Sequence, residues 1–407
     1  MNISIVGIGM GNPDTLTLKA DRLLKKADLI IGASRIMDSL GESYLGKKFS
    51  EIYPDKIKDI IEDADVENIV IAMSGDTGFY SGCKKLLLVL CDYDCQVVAG
   101  ISSMQYLSSQ IAMPWQDFKL VSAHGIDCNV LGEVLSNKKV FFLTGGNIRV
   151  HDIVDILCNH GMGKVRLIVG QRLSYEDEEI CDDLAENLRN RRFENLSVVL
   201  VLRDNEDYKY SGNISDDTFI RGKVPMTKRD VRGAIVARLN INDGDVIYDI
   251  GAGTGSCCIE MAMLNRKAKI YAVEINEEAY DLINKNIAEF HAYNIETILG
   301  KAPLAIDDLP APSAAFIGGS KGNIESIVET LLDKNPHVRL VISAVTYETL
   351  TEAINVMKKY RFENLDISQI AVTNTRQVGA YHMLMAQNPV FIISGEGVAN
   401  AERIMFL

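Results

Sequence analysis

No stretch of the chain approaches the ~18–20 consecutive apolar residues of a membrane-spanning helix, although 47% of its residues are hydrophobic. The apolar residues can therefore build a substantial core, and no membrane partner is expected. Cysteine chemistry is equally scarce. There is no C-x-x-C pair and no cysteine–histidine cluster at zinc spacing; Cys91 and Cys95 lie four apart, and Cys257 and Cys258 are adjacent. No metal site is expected, and the eight thiols read as reduced and buried. Positive charge is short as well: 42 Lys and Arg face 55 Asp and Glu, for a formal net charge of −13. Nucleic-acid binding rests on basic surface, so no nucleic-acid partner is expected. The first residues, Met1-Asn-Ile-Ser-Ile-Val-Gly7, lack a basic n-region and run straight into a glycine turn. They read as a strand rather than a signal peptide, which predicts a cytoplasmic protein.

At 407 residues, two or three domains are expected. Apolar runs of strand length alternate with amphipathic stretches of helix length, the pattern of an α/β protein with largely parallel sheets. In the first half, strands are predicted at Asn2–Ile8, Asp28–Ile31, Asn68–Met73, Cys95–Ala99, Phe118–Ser122, Lys139–Leu143, Val165–Val169 and Ser197–Leu202. A polar helix is predicted over Glu178–Asn190. The segment Arg203–Asp217 is polar, acidic and without periodicity. It divides the chain into residues 1–203, a linker over 204–218, and residues 219–407.

The second part is organised around Asp249-Ile-Gly-Ala-Gly-Thr-Gly-Ser-Cys-Cys-Ile-Glu260. A buried strand precedes the glycines and a helix follows them. Gly251, Gly253 and Gly255 let the backbone turn sharply and a ligand come close, and the free N–H groups of the helix face that ligand. The spacing is G-x-G-x-G, not the G-x-G-x-x-G of dinucleotide sites. The next strand, Lys269-Ile-Tyr-Ala-Val273, ends in Glu274, whose carboxylate can accept both hydroxyls of a ribose. This order resembles the S-adenosylmethionine (SAM) site of class I methyltransferases and implies a Rossmann-like sheet of seven or so strands. The resemblance makes Asp249, Gly251, Gly253, Gly255 and Glu274 cofactor residues.

Three strand-end loops mark the first half: Gly7-Ile-Gly-Met-Gly-Asn-Pro13, Ser74-Gly-Asp-Thr-Gly-Phe-Tyr-Ser-Gly82 and Gly100-Ile-Ser-Ser103. Ligands of open α/β sheets gather at such ends. In this order the loops resemble the tetrapyrrole methylases, the class III SAM methyltransferases, with Met10 where that family usually has proline. The resemblance implies a two-lobed fold with tetrapyrrole in the trough between the lobes. It also implies SAM against Ser74, Gly75, Asp76, Phe79, Ser102, Ser103, Leu143 and Gly170. Asp76 has a second reading, as a turn residue held by its own side chain. His124, which ends a strand, reads as a packed or turn residue more readily than as a base.

Arg221, Lys223, Lys228, Arg229 and Arg232 concentrate basic charge where a helix begins. Thr227 is the expected cap with Asp230 three residues on, and Val231, Ala234, Ile235 and Leu239 form the expected core stripe. Cations at a helix N-terminus oppose the macrodipole, so an anionic ligand, or else a solvated basic face, is expected there. Met226-Thr-Lys-Arg-Asp-Val-Arg232, Gly300-Lys-Ala-Pro303, Phe316-Ile-Gly-Gly-Ser320 and Ala344-Val-Thr-Tyr-Glu-Thr-Leu350 resemble the decarboxylating corrinoid C15-methyltransferases. By that likeness Gly300, Lys301 and Ala302 frame the adenine, and Gly318 and Gly319 admit the reacting ring. Lys228, Arg229, Arg232 and Arg376 are expected to take substrate carboxylates. The acidic or amide residue, two prolines and aromatic of base-amino methyltransferases are absent, which weighs against the alternative of a nucleic-acid or protein methyltransferase with an accessory domain. Both halves together resemble the fused precorrin-6Y C5,15-methyltransferase family of cobalamin biosynthesis. The resemblance implies SAM as cofactor, a small tetrapyrrole substrate, methylation at C5 by the first domain, and methylation at C15 with decarboxylation of the ring C acetate by the second. By analogy it also implies a homo-oligomer.

Overall fold

A computed structural model describes residues 1–124, 128–203 and 212–399 of the protein. The chain divides into two units, Met1–Cys128 with Asn137–Asp204, and Asn129–Ser136 with Asn205–Leu407. Residues 204–211 of the expected linker lie outside the described residues.

The first unit begins with strands β1 (Asn2–Gly7), β2 (Leu29–Gly32), β3 (Lys47–Ser50), β4 (Asn68–Met73) and β5 (Cys95–Val98). They form one parallel sheet in the order β3-β2-β4-β1-β5. The central strands read as continuous apolar runs because both faces are covered. Val6, Val70 and Ala72 pack under Ala20 and Leu24 of the helix Leu18–Lys26. Ile3, Ile5, Ile69 and Ile71 pack under Ile57 and Ile61 of the helix Pro54–Glu62. The first of these helices starts where Thr17 Oγ1 accepts from the Ala20 N–H at 3.2 Å, an N-cap of the expected type.

The second lobe of this unit contains β6 (Lys119–Ser122), β7 (Lys139–Leu143), β8 (Arg166–Gln171), β9 (Glu179–Leu184) and β10 (Ser197–Leu202), in the order β6-β7-β10-β8-β9. Only β6 and β7 pair in parallel; the other pairings are antiparallel, so the expectation of largely parallel sheets fails in this lobe. The polar helix expected over Glu178–Asn190 is also corrected. That stretch is the edge strand β9 followed by a single turn, Ala185–Leu188. Its polar side chains bind the neighbouring strand: Asp182 accepts from Arg166 Nε at 2.7 Å, and Glu179 accepts from Gln171 Nε2 at 2.7 Å. Cross-strand pairing at a sheet edge overrides the local helical preference.

The second unit contains β11 (Val246–Ile250), β12 (Lys269–Glu274), β13 (Ile295–Leu299), β14 (Ala314–Ile317), β15 (Arg339–Ala344), β16 (Glu363–Ile370), β17 (Thr373–Val378), β18 (Tyr381–Ala386) and β19 (Val390–Glu396). Seven of them form one sheet in the order β13-β12-β11-β14-β15-β19-β16, parallel except for β19. The strand order reverses between β11 and β14, where open α/β sheets bind ligands. β17 and β18 make a separate hairpin whose residues are all exposed. Ile214 and Phe219 are buried in this unit's core, so residues at the end of the expected linker pack as part of the unit.

Candidate active sites

In the first unit the three glycine loops close on one another. Gly9 and Gly75 exchange backbone hydrogen bonds of 3.1 and 2.6 Å. A Cβ on Gly7 or Gly100 would fall on backbone atoms of the adjoining loops, which is why glycine is required there. Asp76 holds the arrangement: one carboxylate oxygen accepts from the Gly100 N–H and the other from the Gly78 N–H, both at 2.9 Å. Met10 donates its N–H to Thr15 Oγ1 at 3.1 Å, a bond that proline could not supply.

Beside these loops lies a cavity of about 710 Å³. Ser74, Gly75, Asp76, Phe79, Ser102, Ser103, Leu143 and Gly170 all line it, so the structure brings together the residues that the sequence grouped by resemblance. Ser102 also caps the helix Ser103–Gln110 in a reciprocal capping box with Gln105. Arg35, Glu51, His124 and Arg149 line the same cavity. Arg35 donates to Ser74 Oγ at 3.1 Å and to the Tyr175 hydroxyl at 3.3 Å. Arg35 lies three residues after β2, in the first turn of the helix Ser34–Ser39, and the strand-end rule was the signal that could have found it. His124 stands in a bend two residues after β6, exposed and lining this cavity.

In the second unit Gly251, Gly253 and Gly255 all have positive φ, at +77°, +59° and +80°. A Cβ on Gly251 would stand 2.6 to 2.9 Å from backbone atoms of Gly319, so the loops after β11 and β14 meet glycine to glycine. Gly255 is the N-cap of the helix Ser256–Leu264. One oxygen of Glu274 accepts from the Gly253 N–H; the other accepts from the Ile275 and Asn276 N–H groups, all at 2.9 Å. A carboxylate offers about four acceptor sites. With three filled, Glu274 keeps one acceptor site open.

These loops border a cavity of about 750 Å³. Lys228, Gly251, Gly253, Glu274, Gly300, Lys301, Ala302, Gly318 and Gly319 line it. Lys223 and Lys321 join them, so four lysines surround one cavity. The other predicted residues lie elsewhere. Asp249 is fully buried in β11, with no hydrogen-bond partner on either carboxylate oxygen. Burial pushes its carboxyl up to about 7; Cys258 opposes the shift and the Glu274 charge adds to it. Arg229 is exposed, and its backbone N–H donates to Asp216 Oδ1 at 3.0 Å. Arg376 lies on the exposed strand β17, outside this cavity.

Arg232 is a correction. It is 0% exposed and cannot reach a substrate carboxylate. Its guanidinium pairs with Glu260 at 2.6 Å and Asp216 at 3.1 Å, and donates to the Thr227 carbonyl at 2.8 Å and to the Ile214 carbonyl. Phe219 stacks beneath it, 4.8 Å from the ring centre. The helix runs Arg229–Leu239 with Lys228 as its N-cap and no side-chain cap bond. The expected Thr227 capping box is therefore absent, and Asp216 satisfies the first free N–H instead.

Residues 2–189 match the model of the tetrapyrrole (corrin/porphyrin) methylases, and residues 217–396 match that of the precorrin methyltransferase domain. A probable cobalt-precorrin-6B C(15)-methyltransferase (decarboxylating) of Saccharolobus solfataricus is 34% identical over 188 residues, covering 45% of this chain and 94% of that protein. The chain belongs to the precorrin methyltransferases. A precorrin-6Y C(5,15)-methyltransferase [decarboxylating] of Sinorhizobium sp. is similar across both halves, at 26% identity over 353 residues and 84% of each chain. A solved precorrin-6Y C5,15-methyltransferase structure from Geobacter metallireducens GS-15 is 33% identical and covers 48% of this chain and 100% of that one, with a TM-score of 0.45. This precorrin methyltransferase thus joins an N-terminal tetrapyrrole methylase domain to a Rossmann-like methyltransferase domain. Among its described residues no helix is long and apolar enough to cross a membrane, and no group of His, Cys, Asp and Glu could hold a metal ion.

Proposed function

We propose that this chain is a bifunctional SAM-dependent C-methyltransferase of cobalamin biosynthesis. Residues 1–203 methylate C5 of a precorrin or cobalt-precorrin; residues 219–407 methylate C15 and release CO₂ from the ring C acetate. One observation carries the reading: a single chain holds two cavities, each bordered by strand-end glycine loops and each in a segment that matches a corrinoid methylase model. SAM fits both. The glycines let the strand-end loops meet where a Cβ would strike neighbouring backbone, and Glu274 keeps an acceptor site for a hydroxyl.

Bound SAM supplies an electrophilic methyl group, and a reduced tetrapyrrole meso carbon is an enamine-like nucleophile. The protein therefore has to align two carbons and exclude water. Lys223, Lys228 and Lys321 hold peripheral carboxylates of the substrate in the second cavity, in place of Arg232. The conjugated macrocycle accepts the electron pair that CO₂ leaves behind. The exposed hairpin β17–β18 carries Val378, Tyr381, Met383, Leu384 and Met385 at its surface, which favours a homo-oligomer. All eight cysteines are free, which favours the reducing cytoplasm. Product mass after incubation with SAM and a precorrin tests the reading: two added methyls and one lost CO₂ are expected, and an unchanged tetrapyrrole would refute it.

A further inference from the structure

Methylation of a meso carbon leaves one requirement unmet. That carbon carries a hydrogen. When its electron pair forms the new C–CH₃ bond, the methyl–sulfur bond breaks and its pair returns to sulfur. The macrocycle is left as an iminium-type cation and regains its conjugation only when the meso C–H gives up its proton. A group in the first cavity has to take it.

We infer that His124 is that group, accepting the proton on Nε2 as general base of the C5 methylation; the inference rests on the C5 reading above. The other ionisable side chains lining the cavity are tied into hydrogen bonds or have no acceptor atom. Both oxygens of Asp76 are used to hold Gly78 and Gly100. Glu51 accepts from the Ile52 and Tyr53 N–H groups, which hold its carboxyl below its ordinary value. Tyr80 donates its hydroxyl to the Leu120 carbonyl at 3.0 Å. Arg35 and Arg149 are permanently charged and have no acceptor atom. Imidazole is the side chain suited to taking a proton near neutral pH.

The fold makes room for this ring. His124 follows β6 by two residues at the cavity wall, and its Nδ1 edge lies against Gly145, whose φ is +140°. A Cβ on Gly145 would collide with Nδ1. Gly145 thus sets the position of the imidazole, and the opposite edge, with Nε2, is left to act. Among the described residues no hydrogen bond occupies the ring.

The test uses the full chain with SAM and a precorrin, following C5 methylation by product mass and methyl NMR. In His124→Gln, kcat for C5 methylation is expected to fall about 100-fold or more. KM for the tetrapyrrole, SAM affinity at both sites, and C15 methylation with CO₂ release should hold. His124→Ala should recover part of its C5 rate when imidazole is added to the buffer. A His124→Gln rate within threefold of the parent would overturn the role. So would a loss that appears in KM instead of kcat, which would make His124 a binding residue. If the parent chain itself places no methyl on C5, the functional reading fails rather than the assignment of His124.

Discussion

Arg232 Nε donates to Glu260 Oε2 at 2.6 Å, and the two side chains are 0% and 2% exposed. A base that looked like a substrate ligand is thus part of the second unit's interior. Removing one member of a buried ion pair leaves an uncompensated charge and costs about 3–5 kcal/mol. Arg232→Ala should lower the second unit's stability by that amount in a urea titration. Lys228→Ala should leave stability unchanged and raise KM for the tetrapyrrole. The reverse pattern would return the ligand role to Arg232.

Gly251 tests the second cavity. Its φ of +77° and the 2.6 Å approach to Gly319 leave no space for a methyl group. Strain of about 1–2 kcal/mol for a non-glycine residue in that conformation, plus the backbone clash, should weaken SAM binding at this site at least about tenfold in Gly251→Ala. Calorimetry would then show one tight site where the parent shows two. Two unchanged sites would show that SAM does not lie on this loop.

Asp76 is the corresponding residue of the first unit. Its two oxygens serve two N–H donors, and an asparagine could serve only one. Hydrogen bonds to a charged group contribute about 1.5–3 kcal/mol each. Asp76→Asn should therefore reduce SAM affinity at the first site about tenfold or more and leave the second site intact.

Asp249 makes stability depend on pH. Its carboxyl is pushed up to about 7, chiefly by burial, whereas an unfolded aspartate titrates near 3.9. Below about pH 4 the group is neutral in both states and carries no penalty. As pH rises toward 7 the unfolded chain ionises more readily, so stability falls; above 7 the loss levels off on the order of 4 kcal/mol. Asp249→Asn should therefore gain stability over the parent at pH 8 and much less at pH 5. An equal difference at the two pH values would contradict the effect.

The glycine loops were legible because a residue without a side chain at a strand end has few structural uses besides close backbone approach. The direction of Arg232 was not, because a charged residue on a helix is ordinarily read as solvated. Two signals lay in the sequence. Arg232 stands at i, i+3, i+4, i+7 spacing with Ile235, Val236 and Leu239 on the buried face. Glu260 is a lone acid in the otherwise apolar helix Ser256–Leu264. Each alone is unremarked; together they describe an ion pair closed over 28 residues of sequence. The edge strand β9 was illegible for a different reason: its polar residues are selected by partners on β8, and those partners are brought near only by the fold. His124 likewise took its meaning from Gly145, which lies on a different loop.

The most direct measurement is the mass and methyl position of the tetrapyrrole product made by the full chain and by its Gly251→Val and Gly100→Val variants, each blocked in one cavity. The full chain should add two methyls and lose CO₂, and blocking the second cavity with Gly251→Val should abolish both C15 methylation and CO₂ release. Gly100→Val should abolish methylation at C5. CO₂ release that persists in Gly251→Val would contradict the division of chemistry between the two units.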